Sequence, residues 1–221
     1  MYNGQFVFRW QNQALKRQAK LIYAGFERVL GKGQTILAAT SGQEKMQLVS
    51  GQFPKSVTSV LENGVTYPVD LTISRQQLAL EFREVRDWVK QTSQQKRLLN
   101  LFSAETGVVT AAMLGGAVEA ITVDPTNRAT TTIQAQLAAN NLDQAAVEMR
   151  TMDVPNYLDY AIKHGLTFDT ITINPPAFIR GKKRAFTLEQ DLPALVAQAL
   201  QVAQSGSQIL VTTVSYTHLR A

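Results

Sequence analysis

Ser103-Ala104-Glu105-Thr106-Gly107, Asp124, Asp153 and Asn174-Pro175-Pro176-Ala177-Phe178 follow one another along the chain, each at or just after the end of a short apolar run. Gly107 lets backbone approach a bound ligand closely. The Asp124 carboxylate can accept hydrogen bonds from both hydroxyls of a ribose, and Asp153 can meet the exocyclic amine of an adenine. Pro175 and Pro176 fix φ and supply no N–H, which makes the turn rigid and leaves its carbonyls free for a substrate amine. The Asn174 amide both accepts and donates, and Phe178 offers a face on which a flat base can stack. Each feature has a plain structural alternative: a helix cap for Asp124 or Asp153, an ordinary strand-to-helix turn for Gly107, a simple loop for the two prolines. Their order at successive strand ends is what points to a nucleoside-containing cofactor, because doubly wound sheets bind ligands outside the carboxyl ends of their strands.

The elements that must hold these groups can be read from the hydrophobic spacing. Leu98–Ser103, Ala120–Val123, Val147–Thr151, Asp169–Ile173 and Gln208–Thr213 read as five strands. Between them lie helical stretches at Thr110–Leu114, Asn127–Ala139 and Pro155–Lys163. A last helix is placed from about Asp191 to Gly206, because Pro193 belongs in a first turn. Strands alternating with helices predict a parallel, doubly wound α/β sheet of Rossmann-like type. Ser74 is placed as the cap of a preceding helix that runs to Lys90. Leu78, Phe82, Val85 and Val89 lie on its buried face, and Glu81, Arg83, Glu84 and Arg86 on its outer one. Upstream, Leu15, Ala19, Ile22, Phe26 and Leu30 predict a helix ending at Gly31. Thr35–Thr40 and Lys45–Ser50 read as strands. Val57–Glu62 and Val65–Leu71 flank Asn63-Gly64, the preferred pair of a type I′ hairpin, with Pro68 confining the second strand to an edge or a bulge. Residues 1–72 thus form a small α+β N-terminal region and 73–214 the α/β domain, while 215–221 read as a non-native tail.

Composition narrows the chemistry. The 221 residues contain no cysteine, which excludes disulfides, thiolate metal sites and a cysteine nucleophile. The two histidines, His164 and His218, are too few for a multi-histidine metal site, and His164 reads as a C-terminal helix residue. No apolar run is long enough to span a bilayer. The net charge is +5, with clusters at Lys16-Arg17-Lys20 and Arg180-Lys182-Lys183-Arg184. These suit a phosphate backbone and are equally compatible with a solvated helix face and a loop.

Leu98-Leu99-Asn100-Leu101-Phe102-Ser103, Val123-Asp124, Asn174-Pro175-Pro176-Ala177-Phe178 and Lys182-Lys183 together resemble the class I S-adenosylmethionine-dependent methyltransferases. The nearest resemblance is to bacterial 23S ribosomal RNA enzymes of the cytosine-C5 and guanine-N7 groups. Glu62-Asn63-Gly64 through Asp70-Leu71 and Leu80-Glu81-Phe82-Arg83 resemble their approach to the catalytic domain. The resemblance covers residues 57–214 and implies S-adenosylmethionine as cofactor. By it, Ser103, Thr106 and Gly107 line the methionine end, Asp124 holds the ribose, Asp153 holds the adenine, and Asn174, Pro175, Pro176 and Phe178 form the catalytic loop facing the target base. Family members continue for two more strands, so the sheet reads as C-terminally truncated.

Three departures shape the expected reaction. The first loop is one residue longer than the family's and lacks its tyrosine, and Asn174 replaces an aspartate. Where the cytosine-C5 group has its cysteine, this chain has Val214. Cytosine C5 needs covalent activation, whereas a base nitrogen carries its own lone pair. The resemblance therefore implies a cytoplasmic enzyme that methylates a base nitrogen of ribosomal RNA, without metal or membrane. The alternatives are a methyltransferase for a small molecule or protein, and a non-catalytic RNA- or partner-binding descendant.

Overall fold

The computed structural model describes all residues except 1, 3, 11, 32, 41–42, 55–56, 75–77, 104, 180–184 and 214–221. The basic cluster at 180–184, Val214 and the tail at 215–221 therefore lie outside the described residues. The chain divides into two compact units, Met1–Gln77 and Leu78–Ala221.

In the first unit, β1 (Phe6–Trp10) is followed by α1 (Gln13–Arg17), α2 (Ala19–Leu30), β2 (Ile36–Thr40) and β3 (Gln47–Ser50). Strand β2 is central, parallel to β1 and antiparallel to β3. The sequence reading missed β1, whose residues are mostly half-buried and give no clean alternation. Its aromatic side chains nonetheless pack: Phe8 lies 5.5 Å from Trp10 and 4.9 Å from Phe26, centroid to centroid. The single N-terminal helix is in fact two. Asn12 caps α1 by accepting from the Ala14 N–H at 2.7 Å, and the chain breaks at Gln18 before α2. Strands β4 (Thr58–Glu62) and β5 (Val65–Val69) form the expected hairpin. Asn63 and Gly64 have φ of 51° and 77°, the two positive values a type I′ turn requires. Pro68 sits opposite Ser59 in this two-stranded sheet, where each strand is an edge.

Ser74 does not cap a helix. Its hydroxyl donates to the Gln43 carbonyl, and the chain is extended at Ala79 before a 3-10 turn at Leu80–Phe82. The helix α3 starts at Arg83 and ends at Thr92. The physical reason is tertiary: the Ala79 N–H and C=O are taken by the side chains of Glu105 and Arg86 rather than by a helical turn.

The second unit continues with β6 (Arg97–Leu101), α4 (Gly107–Leu114), β7 (Glu119–Asp124), α5 (Thr130–Ala139), β8 (Val147–Thr151), α6 (Val154–Lys163) and β9 (Phe168–Ile173). The two-residue strands β10 (Phe178–Ile179) and β11 (Phe186–Thr187), helix α7 (Leu188–Gln201) and β12 (Ala203–Val211) complete it. The main sheet is parallel throughout, in the order β12-β9-β6-β7-β8. This is the Rossmann-like α/β arrangement that the alternating pattern predicts. Alternate residues feed two cores. Leu99, Leu101, Ile121, Val123 and Ile171 pack with residues of α6 and α7. Leu98 and Ala120 pack with residues of α3, α4 and α5. Burial on both faces is what makes these strands near-continuous apolar runs.

Two boundaries at the C-terminal end need correction. Helix α7 begins at Leu188, so Pro193 lies inside it and not in its first turn. The extra turn is held by Asp191, whose carboxylate accepts from the Thr187 N–H at 2.7 Å. Gly206 does not end that helix; it lies in β12, where the register with β9 shifts between Ala203 and Gln208. His164 is the C-cap of α6, as expected.

Candidate functional site

All four motif groups stand at the carboxyl side of the main sheet. The chain leaves β6 through Phe102, which is buried and has φ of 61°. Left-handed backbone at a residue with a side chain costs about 1–2 kcal/mol. Here it is held by the Phe102 N–H donating to the Val123 carbonyl at 2.9 Å and by the ring packing 5.6 Å from that of Phe186. The turn delivers Ser103, Glu105, Thr106 and Gly107, all buried, over the sheet's end. Ala104 lies outside the described residues.

Gly107 is the first residue of α4. Its lack of a side chain makes room for two others. A Cβ there would fall 2.6 Å from Arg86 Cδ and 2.8 Å from Glu105 Oε1. The Gly107 N–H and the Ala79 N–H both donate to Glu105, at 2.9 Å each, and Arg86 Nη1 donates to the same carboxylate at 3.0 Å. Arg86, expected on the outer face of its helix, is instead 1% exposed and paired. Burial pushes the Glu105 carboxyl up from its ordinary value, while Arg86 and the two N–H groups pull it down. The sequence reading passed over Glu105. Its signal was the extra residue in the loop, which places a carboxylate where the apolar surroundings require a cation.

A second buried row crosses the sheet to Ser103. Thr172 Oγ1 donates to Asn100 Oδ1 at 2.8 Å, Asn100 Nδ2 to Thr122 Oγ1 at 3.1 Å, and Thr122 Oγ1 to Ser103 Oγ at 2.8 Å. The register sets it up, because Asn100 lies opposite both Thr122 and Thr172. Nearby, Gln136 on α5 donates to the Thr106 hydroxyl at 2.9 Å and accepts from Thr110 at 3.1 Å.

Asp124 ends β7. Its Oδ1 accepts from the N–H and the hydroxyl of Thr126, at 2.8 and 2.7 Å, and Oδ2 accepts from none of the described residues. One side of the carboxylate holds a turn and the other is open. Ser103, Thr122, Asp124, Thr126 and Arg150 border one shallow hollow of about 10 Å³, room for a single water. Asp153 stands apart from this hollow. It begins α6 without capping it through its side chain, and it lines a larger cavity of about 260 Å³ with Pro155, Phe186, Asp191, Leu195 and Gln198. The structure thus brings Ser103 and Asp124 together, and places Asp153 on a separate wall.

Asn174 follows β9, and its N–H donates to the Leu101 carbonyl at 3.2 Å, tying the loop to β6. Pro175 is buried, Pro176 and Ala177 are exposed, and Phe178 is 59% exposed. The Ala177 carbonyl accepts from the Leu188 N–H at 3.0 Å, and Phe178–Ile179 pair with Phe186–Thr187. A rigid loop therefore presents one amide and one uncovered aromatic ring. Among the described residues no cluster of three His, Cys, Asp or Glu side chains could hold a metal, and no helix is long and apolar enough to cross a membrane.

A family model described as S-adenosylmethionine-dependent methyltransferase matches residues 13–215. The chain is 30% identical over 220 residues to YwbD of Bacillus subtilis (strain 168), named as a candidate ribosomal RNA large subunit methyltransferase. That match covers 96% of this chain and 56% of YwbD. It is 28% identical over 182 residues to ribosomal RNA large subunit methyltransferase I of Cronobacter sakazakii, covering 80% of this chain and 46% of that protein. Among solved structures it is similar to SMU.776, a candidate methyltransferase complexed with SAH. The TM-score is 0.83 at 30% identity, over 95% of this chain and 55% of the other. The chain spans about half the length of the curated relatives it matches.

Proposed function

The chain belongs to the S-adenosylmethionine-dependent methyltransferase family, and from that premise we propose that it takes part in methylating a base nitrogen of ribosomal RNA in the cytoplasm. The observation that carries the reading is the Asn174–Phe178 loop, anchored on β6 beside the Ser103 turn with Asn174 half-buried and the Phe178 ring exposed.

The residues present fit the cofactor. The open oxygen of Asp124 suits a ribose diol, and Ser103, which borders the same hollow, suits the amino-acid end. Asp153, on its own wall, suits an adenine amine at the edge of the larger cavity. When bound, S-adenosylmethionine supplies an electrophilic methyl group. The protein's part is placement: holding the acceptor nitrogen in line and excluding water is worth several kcal/mol and needs no strong base. Asn174 Oδ1 accepts from an N–H of the target base, Pro175 and Pro176 keep that oxygen fixed, and Phe178 stacks on the ring. Residues 73–214 form the cofactor-binding domain in this reading. The ribosomal RNA substrate is supported by the names of YwbD and of the Cronobacter relative, and the cofactor by the SAH in SMU.776.

The test has two parts. Calorimetry should show stoichiometric SAH binding, and labelled methyl should pass from S-adenosylmethionine to 23S ribosomal RNA. SAH binding with transfer only to a small molecule or protein would move the substrate class. A folded chain without SAH binding would remove the enzymatic reading.

A further inference from the structure

The buried row Thr172–Asn100–Thr122 ends on Ser103, and its hydrogen-bond polarity has a consequence at the site. Asn100 Oδ1 meets Thr172 at 2.8 Å, the usual length for a hydroxyl donor, and its Nδ2 meets Thr122 at 3.1 Å, the usual length for an amide donor. Both lengths agree with the orientation in which Oδ1 faces Thr172 and Nδ2 faces Thr122. Thr122 then accepts from Asn100 and spends its single proton on Ser103 at 2.8 Å. Ser103 is an acceptor towards the sheet, so its own proton faces away, and no described residue accepts it. All four residues are buried, and Ser103 and Thr122 both border the hollow at Asp124.

We infer that Thr172, Asn100 and Thr122 are positioning residues that fix the Ser103 hydroxyl as a hydrogen-bond donor to the carboxylate of the cofactor's amino-acid end. This rests on the cofactor reading above. Asp124 is an acceptor and takes donors, the ribose hydroxyls; a hydroxyl with its proton turned outward takes an acceptor, and the carboxylate is the strongest acceptor in the ligand. A buried network with every member paired in one direction holds that proton in place before the ligand arrives, which is where its effect on affinity comes from.

Asn100→Asp tests the polarity. An ionised carboxylate accepts from both threonines, so Thr122 turns its proton inward and draws the Ser103 proton after it. At about pH 8 the dissociation constant for SAH should rise roughly tenfold to a hundredfold, the range for a lost bond to a charged group. Two comparisons make the result specific. In a Ser103→Ala background Asn100→Asp should add little further loss. For 5′-methylthioadenosine, which lacks the carboxylate, it should change affinity by less than about threefold. Melting curves confirm that each variant is folded; if Asn100→Asp is not, Thr122→Val should weaken SAH roughly threefold and be silent in the Ser103→Ala background. A loss that persists undiminished after Ser103→Ala, or that is equal for both ligands, overturns the inference, as does unchanged SAH binding. Failure of the unaltered protein to bind SAH would instead overturn the cofactor reading.

Discussion

Arg86 Nη1 lies 3.0 Å from Glu105 Oε1, both side chains are closed to solvent, and the pair fills the space that a side chain at Gly107 would need. A residue of α3 is thereby locked to the loop between β6 and α4. The same carboxylate takes the Ala79 N–H, and Arg86 takes the Ala79 carbonyl, so the segment entering α3 is fixed to that loop as well. The loop's shape is set by an ion pair and two backbone bonds, not by glycine flexibility.

Gly107→Ala should therefore destabilise the protein. The added methyl would sit 2.6 Å from Arg86 Cδ and 2.8 Å from Glu105 Oε1, and relieving such overpacking costs about 1–3 kcal/mol. Gly25→Ala is the control: it lies in α2 with nothing within 4 Å of the new Cβ, and helix propensity favours alanine there by roughly 1 kcal/mol. Urea unfolding of the two variants should move the midpoint in opposite directions.

Arg86→Met should cost about 3–5 kcal/mol, the penalty for leaving a buried charge without its partner. Its pH dependence is the sharper readout. Burial already raises the Glu105 carboxyl above 4.5, and loss of the guanidinium raises it further. A folded value above the unfolded one contributes stability that is present below the unfolded value and is lost as pH rises through the folded one. Unfolding free energy of Arg86→Met should thus fall more steeply as pH rises above 4.5 than that of the unaltered protein. Parallel slopes would show that Glu105 is not the group left exposed to the change.

These two residues also mark where sequence reasoning stopped. The five strands, their alternation with helices and the type I′ turn at Asn63-Gly64 could be read from the chain, because they follow from local periodicity and backbone preference. Arg86 could not: helical spacing put it on an outer face, and the carboxylate that draws it inward is on another element. Pro193 misled for the opposite reason. Its local rule was sound, but Asp191 reaching back to Thr187 extends the helix by a turn that proline alone does not predict. At the site, spacing put Ser103 and Asp124 at successive strand ends without showing that they border one hollow. It carried no information that Asp153 lines a different one, since that depends on how α6 and α7 pack.

Tyr157 offers a test of burial without pairing. It is 1% exposed, and its hydroxyl has no hydrogen-bond partner among the described residues. Burial, with Glu148 adding to it, pushes the phenol from 10.0 up to about 12. Tyr157→Phe removes the orphaned hydroxyl and keeps the ring, so stability at neutral pH should be unchanged or up to about 1 kcal/mol higher. In the unaltered protein the neutral phenol contributes stability below pH 10 that is lost as pH rises towards about 12. Melting temperatures across that range should decline less in Tyr157→Phe, and an equal decline would assign the alkaline loss to other groups.

Asp124 and Asn174 should separate binding from transfer. Asp124 presents one open carboxylate oxygen above the hollow, and losing a charge-assisted bond costs about 1.5–3 kcal/mol. Asp124→Ala should weaken SAH by roughly tenfold to a hundredfold, and Asp124→Asn, which preserves the turn to Thr126, by somewhat less. Asn174 is held to β6 through its backbone, so Asn174→Ala leaves that anchor in place and removes the amide alone. Its expected signature is an SAH dissociation constant within about twofold of the unaltered protein, alongside a loss of methyl transfer of roughly a hundredfold, the effect of misplacing a reacting group. Transfer to ribosomal RNA is measured under saturating cofactor, so that any change in cofactor affinity drops out. If Asn174→Ala weakens SAH as much as Asp124→Ala does, the amide belongs to the cofactor's site and the target base must be held by another part of the loop.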